Sequence, residues 1–245
     1  MVQRPEEGAP VSGYVISPPD VASLPVQGTD ARFPVRRIYC VGRNYLAHVR
    51  EMNEGADERD PPFFFQKPAD SIVHSGGCAP YPTLTRSLHH EVELVVAISK
   101  GGAFIPKDQA LAHVFGYGVG IDLTRRDLQT VAKDKGWPWE MGKSFDHSAP
   151  LGALAPASDV GHDESRKISL TVNGETRQSS TIAHMTWSVP EIISKLSEHY
   201  RLEPGDIIMT GTPEGVGALQ IGDVLAAEVS GLPPLTITIT EPLAP

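Results

Sequence analysis

LHHEVELVVAIS, residues 88–99, is the stretch on which the fold turns. Read as a strand, it places Val92, Leu94, Val96 and Ile98 on one face and Glu91, Glu93, Val95 and Ala97 on the other. Beyond Glu93 both faces are apolar, so the strand runs into a core on each side. The pattern predicts one long strand over Leu88–Ser99, with two carboxylates side by side near its start.

Other strands gather around it. RRIYCVG reads as a strand ending at Gly42, PPFFFQKP as an aromatic strand closed by Pro68, and Val114–Leu123 as a strand of small and apolar residues. In the C-terminal third, ISLTVNGETRQ carries an Asn173–Gly174 hairpin signal, followed by DIIMTG, DVLAAEVSG and LTITIT. Helices are few. Asn44 can cap one that ends near Gly55, GGAFIPKDQALAHV suggests a second, Thr124–Lys135 starts on a capping-type Thr, and Val189–His199 begins at Pro190. No internal repeat is evident. Strands this numerous with so few helices exclude a doubly wound sheet and predict an α+β, mostly β, fold. Residues 1–34 are rich in Pro, Gly and Ser and read as an arm with one short strand, and the main domain spans residues 35–245.

The chain has 245 residues, 40% hydrophobic and 21% charged, with 23 glycines and 22 prolines, an ordinary globular composition. A formal charge of −9 argues against a nucleic-acid partner, since phosphate binding needs a basic footprint. An acidic substrate would need a cation inside the site. The two cysteines, Cys40 and Cys78, are too few for a disulfide scaffold or a zinc finger and read as free thiols. The N-terminus lacks an apolar leader segment, and the longest apolar run, Leu94–Ile98, is far too short for a membrane span. The expectation is a soluble, cytoplasmic protein without a membrane partner.

Candidate chemistry lies in four places. Glu91 and Glu93 share a strand face, where they repel unless a cation sits between them; alone, the pair is better read as an exposed polar stripe. Asp122, in YGVGIDLT, ends a strand and could cap the helix that follows. Together the three make an all-oxygen set that suits Mg2+ or Mn2+, with Ca2+ also compatible. His48 and Glu51 share a helical face, so the carboxylate can orient the imidazole to activate water; an isolated pair of this spacing is more often a surface ion pair. Lys143, in MGKSFDHSAP, is either a solvated loop cation or a group that holds an enolate or carboxylate. GTPEGVG, residues 211–217, lacks the ending of a phosphate loop. It is either a tight turn or a nest of amides for a carboxylate, with Thr212 adding a hydroxyl.

In this order, YCVGRNYLAHVREM, FFFQKPADS, RSLHHEVELVVAI, GYGVGIDLTRRDLQ, GKSFDHSAPLG, VNGETRQ and GDIIMTGTPEGVG resemble the fumarylacetoacetate hydrolase superfamily, from about Arg36 to the end. The acylpyruvase branch is the nearest. The resemblance implies a mixed β-roll, often a homodimer. It implies a divalent ion on Glu91, Glu93 and Asp122, and water activation by His48 and Glu51 on a lid helix. Lys143, Gln129 and Thr212 would contact substrate. Arg125 stands where the family often has alanine. Arg43, Tyr45 and Arg126 are further candidate substrate contacts, and Arg43, Arg50 and Arg126 are candidates for a distal carboxylate. The implied reaction is hydrolysis of a carbon–carbon bond in a small 2,4-diketo acid such as fumarylpyruvate, with release of pyruvate. The same metal–enolate chemistry would also serve oxaloacetate decarboxylation, tautomerisation or dioate isomerisation. A non-enzymatic small-molecule binding module is the bland alternative.

Overall fold

A computed structural model describes residues 13–52 and 59–243. Its centre is an eight-stranded sheet that runs in the order Phe63–Lys67, Arg37–Gly42, Asp206–Met209, Val92–Ile98, Val114–Ile121, Ala149–Leu151, Ile72–His74. The short strand Ala155–Pro156 pairs beside Val114–Ile121. A five-stranded sheet follows the order Glu175–Thr181, Lys167–Val172, Val224–Val229, Leu235–Thr240, Cys78–Pro80. The Asn173–Gly174 hairpin joins the first two of these.

The central strand Val92–Ile98 is buried at every position, as its two apolar faces require. Val92, Leu94, Val96 and Ile98 face the larger core, together with Ile168, Leu170, Ile237 and the helix residues Ile192 and Leu196. Val95 and Ala97 face a second core with Ile38, Ile207, Leu151, Leu24 and Phe33. Leu24 and Phe33 come from a two-stranded hairpin, Ser23–Pro25 with Arg32–Pro34, laid on the outer face of the large sheet. Burying one such side chain contributes about 1.5–3 kcal/mol, so the two cores hold the large sheet from both sides.

Several local expectations change. Leu88–Ser99 is not one strand. It breaks at Glu91 into Leu88–His90, which joins a three-stranded sheet with Thr124–Arg125 and Gly217–Ala218, and Val92–Ile98. Asn44 does not cap the first helix, Leu46–Glu51, whose cap residue is Tyr45. The Asn44 amide instead donates to Trp187 O and Thr210 O and accepts from Trp187 N, pinning the loop before the helix. The expected end of that helix near Gly55 lies outside the described residues. Thr124 is strand, and the following helix runs Arg126–Lys135. The segment before Val114 is a 3-10 helix, Lys107–His113. Val189–His199 is helical over the expected span. Its start is stronger than Pro190 alone implies, because Ser188 and Glu191 form a reciprocal capping box.

Candidate active site

The break at Glu91 is what builds the site. Val92 pairs with Ile121, and Asp122 N–H donates to Glu91 O at 2.8 Å, so Glu91 and Asp122 are the next cross-strand pair. Cross-strand partners project to the same face, and Glu93 follows two residues along on that face. Oxygens of the three carboxylates lie within 4.8 Å of one another, and all three residues are buried. Asp122 is no helix cap.

Buried anions need partners, and here they are unequally shared. Glu91 meets the Arg126 guanidinium and, at 2.7 Å, Lys143 Nζ. Asp122 meets Lys143 at 2.7 Å and Lys67 at 2.8 Å. Glu93 has no cationic side chain against it among the described residues; its Oε2 accepts only the Gly211 N–H, at 2.7 Å. Burial opposes ionisation of Glu91, but Lys143, Arg126 and His48 outweigh it and hold that carboxyl well below the usual range. Glu93 goes the other way. Burial, reinforced by Asp122 and Glu91, pushes it well above the usual range. Lys67, Lys143 and Arg126 match the three carboxylates in number but leave Glu93 without a cation in contact, and a divalent cation among these oxygens would meet it directly. The donor set is all oxygen, which suits a hard cation such as Mg2+ or Mn2+.

Lys143 is not a solvated loop cation. It ends the short helix Glu140–Lys143 and is 2% exposed, donating to Glu91, Asp122 and Thr124 Oγ1, each at 2.7 Å. Burial disfavours its charge, yet Asp122 and Glu91 prevail and raise its ammonium above the ordinary lysine value. The helix reaches this depth because Gly142 lies on the backbone of Gln129. A Cβ at 142 would come within 2.9 Å of Gln129 N. Arg126, Gln129 and Ala132 share the buried face of helix Arg126–Lys135, and Arg126 donates to Gln129 Oε1 at 2.6 Å.

His48 enters from the helix Leu46–Glu51. Its Nδ1 is 3.2 Å from Glu51 Oε2. An ionised carboxylate can only accept, so Nδ1 is the donor here, which in the neutral ring leaves the lone pair on Nε2. Glu51 is itself held by Gly215 N–H. The turn of residues 211–217 is thus no open nest: the protein's own carboxylates Glu93 and Glu51 occupy its Gly211 and Gly215 amides.

One cleft brings most of these residues together. Arg43, His48, Glu91, Glu93, Asp122, Arg126, Gln129, Lys143 and Thr212 line it. Glu51 stands behind His48. Tyr45 is not among the lining residues; its buried hydroxyl has no hydrogen-bond partner among the described residues, and burial, with Glu93 and Glu214, raises its pKa. Arg50 is exposed and does not line the cleft. Four contributors went unread in the sequence. Lys67 braces Asp122, Phe65 and Trp139 form an aromatic wall, and Gln178 binds Thr212. A lysine inside an aromatic strand (FFFQK) is the only local hint for Lys67, and nothing local marks Gln178.

The geometry matches known proteins. The crystal structure of a fumarylpyruvate hydrolase from Pseudomonas aeruginosa in complex with Mn2+ and pyruvate is similar at a TM-score of 0.90 and 52% identity, over 93% of this chain and 99% of that one. A fumarylpyruvate hydrolase of Ralstonia sp. is 44% identical over 177 residues, 72% of this chain and 92% of the relative. The mitochondrial oxaloacetate tautomerase of Homo sapiens is 41% identical over 207 residues, 84% of this chain and 93% of the relative. The family model for the fumarylacetoacetate (FAA) hydrolase C-terminal region matches residues 37–240, so the chain belongs to the fumarylacetoacetate hydrolase family.

Proposed function

We propose that this protein is a divalent-metal-dependent hydrolase that cleaves the C3–C4 bond of a 2,4-diketo acid, with fumarylpyruvate or a close acylpyruvate as substrate and pyruvate as one product. One observation carries the reading: a single cleft sets an oriented imidazole, His48, beside three buried carboxylates, one of which, Glu93, has no cationic side chain in contact among the described residues. The P. aeruginosa and Ralstonia relatives support the choice of substrate.

Glu91, Glu93 and Asp122 would hold the ion, Mg2+ in our reading, with Mn2+ and Ca2+ compatible with the same oxygens. When bound, it supplies Lewis-acid stabilisation of the negative charge left on pyruvate as the bond breaks. His48 Nε2, with Nδ1 fixed on Glu51, takes a proton from water. The resulting hydroxide adds to the C4 carbonyl. The C3–C4 bond then breaks, its electron pair passes to the pyruvate enolate, and C3 takes up the proton that His48 removed from water. Lys143 and Arg126 hold Glu91 ionised and in place, Lys143 also fixes Asp122, and Gln129 and Thr212 orient the substrate. In the same reading residues 35–245 form the catalytic unit, since every candidate site residue lies there. Residues 1–34 are an added arm, and the protein acts as a cytoplasmic homodimer.

A second reading keeps the site and changes the reaction to oxaloacetate tautomerisation, favoured by the 41% identity to the human tautomerase. Following diketo-enol absorbance with fumarylpyruvate and with oxaloacetate, before and after EDTA, separates the two. We expect metal-dependent loss of fumarylpyruvate absorbance with pyruvate formed in equal amount. Acceleration of oxaloacetate enol–keto exchange alone would replace the hydrolase with the tautomerase.

A further inference from the structure

Gln178 lies in the five-stranded sheet, beyond the acidic set, yet its side chain is 1% exposed and reaches the cleft wall. Its strand alternation is broken to achieve this. Leu170 pairs with Gln178 and Thr171 with Thr176, so Arg177 is an extra residue in the ladder, a β-bulge that turns the next side chain inward. The Arg177 carbonyl meanwhile packs against Gly215 so closely that a Cβ there would be 2.1 Å away.

All four hydrogen-bonding positions of the Gln178 amide are used. Oε1 accepts Val92 N–H and His90 Nδ1–H, each at 3.0 Å; Nε2 donates to Pro213 O at 2.9 Å and Thr212 Oγ1 at 2.8 Å. Two of these partners fix the amide's orientation, because a backbone N–H can only donate and a backbone carbonyl can only accept. Thr212 Oγ1 must therefore accept from Gln178, and its own proton must point elsewhere. No acceptor among the described residues takes that proton, and Thr212 lines the cleft.

We propose that Gln178 is a positioning residue that locks the Thr212 hydroxyl as a hydrogen-bond donor into the cleft, so that this wall selects ligands presenting a carboxylate or carbonyl oxygen there. The inference rests on the reading of the cleft as a 2-oxo acid site and adds the device that sets its polarity. Replacing Gln178 by Glu preserves size and the contacts to Val92 and His90. It removes the donor, and the Thr212 proton then turns toward position 178.

The test uses the full chain loaded with Mn2+, with pyruvate as probe and calorimetry as readout. Gln178→Glu and Thr212→Val should each weaken pyruvate by about tenfold or more, the value of one hydrogen bond to a charged acceptor. The double variant should be no weaker than the poorer single one by more than about twofold, since both remove the same bond. Thr212→Ser, which keeps the hydroxyl, should stay within about threefold of the parent, and Mn2+ affinity without pyruvate should hold within about threefold in every variant. Additive losses, parent-like binding by Thr212→Val, or no pyruvate binding by the parent overturn the proposal. If Gln178→Glu does not fold, the Thr212→Val and Thr212→Ser pair still decides it. A parent that binds pyruvate through this bond but cleaves no diketo acid sinks the hydrolase reading and leaves Gln178's role standing.

Discussion

Gly215 N–H donates to the Glu51 carboxylate, 3.0 Å from Oε1 and 3.2 Å from Oε2. Four residues earlier on the same turn, Gly211 N–H holds Glu93. One turn therefore ties the carboxylate that orients His48 to the carboxylate that completes the acidic set. The spacing between the proposed proton acceptor, His48, and the acidic set is thus set through backbone amides of one turn. Gly215 has φ +90, and any Cβ would strike the Arg177 carbonyl. Gly215→Ala should lower kcat by roughly 10- to 100-fold, part of the ~10²–10⁴ that a positioned base supplies. Mn2+ affinity should be close to that of the parent. Parallel kinetics and metal titration check this; equal loss of both would mean that the whole turn had collapsed.

Removing the imidazole itself is a cleaner cut. His48→Ala should reduce kcat for the diketo acid by about 10²–10⁴-fold, the usual range for a general base. KM should change little, because His48 touches water in this scheme and not the bound oxygens. A variant as fast as the parent would assign water activation to another group.

Glu93 gives a prediction with an unusual sign. Its folded pKa is raised, chiefly by burial and then by Asp122 and Glu91. The metal-free folded state thus holds its proton to higher pH than the unfolded chain does. Where the unfolded state binds fewer protons, stability falls as pH rises. This group costs metal-free stability from the ordinary carboxylate range upward, and the loss grows until the raised folded value is passed. Glu93→Gln should consequently raise the Tm of EDTA-treated protein at neutral pH and abolish the Tm gain that Mn2+ gives the parent. A lower Tm without metal would show that Gly211 needs the ionised acceptor more than the site resents the charge.

Strand register makes much of this site legible in the sequence. Glu93 sits in a strand and Glu91 and Asp122 stand at strand ends, the alternation is visible in HHEVEL and GVGID, and pairing Val92 with Ile121 puts all three on one face. His48 and Glu51 were legible as neighbours on a helical turn. Lys67 and Gln178 were not, since each acts across a long sequence interval on atoms that periodicity does not mark: Lys67 on Asp122, Gln178 on Thr212. The break at Glu91 is not legible because His89 and His90 continue the alternation; the partner strands Thr124–Arg125 and Gly217–Ala218 pull Leu88–His90 into another sheet. Asn44 and Thr124 misled for a common reason. Both have good capping side chains, and tertiary partners claimed them first.

Away from the site, the capping box at the start of Val189–His199 is open to a stability test. Ser188 N–H and Oγ both reach Glu191 Oε2, and Lys107 adds a 2.9 Å ion pair. Burial opposes ionisation of Glu191, but the Lys107 and Ser188 hydrogen bonds outweigh it and lower the carboxyl to about 2. A depressed carboxylate stabilises above its unfolded pKa and loses that contribution as pH falls through the folded one. Ser188→Ala should cost about 1 kcal/mol at neutral pH. The deficit of Glu191→Gln relative to the parent should shrink between the ordinary glutamate range and about pH 2. Urea titrations at several pH values measure it, and a pH-independent deficit would assign the effect to packing.

Lys67 tests whether cationic side chains and a metal share one task. Its ammonium is buried, 2.8 Å from Asp122, and donates to the carbonyls of Leu123 and Lys143. Lys67→Met removes a charge and keeps most of the volume, leaving Asp122 with Lys143 alone among its cations. Breaking a buried pair typically costs ~3–5 kcal/mol, because the surviving charge is stranded. In the absence of metal the variant should therefore melt well below the parent. A divalent ion beside Asp122 would restore the missing positive charge. Ligand binding stabilises through its affinity for the folded state, and that affinity should rise once a competing cation is gone. Saturating Mn2+ should consequently raise the Tm of Lys67→Met by more than it raises that of the parent. Equal increments in the two proteins would mean that Lys67 supports the backbone of residues 123 and 143 and has no electrostatic part in the acidic set.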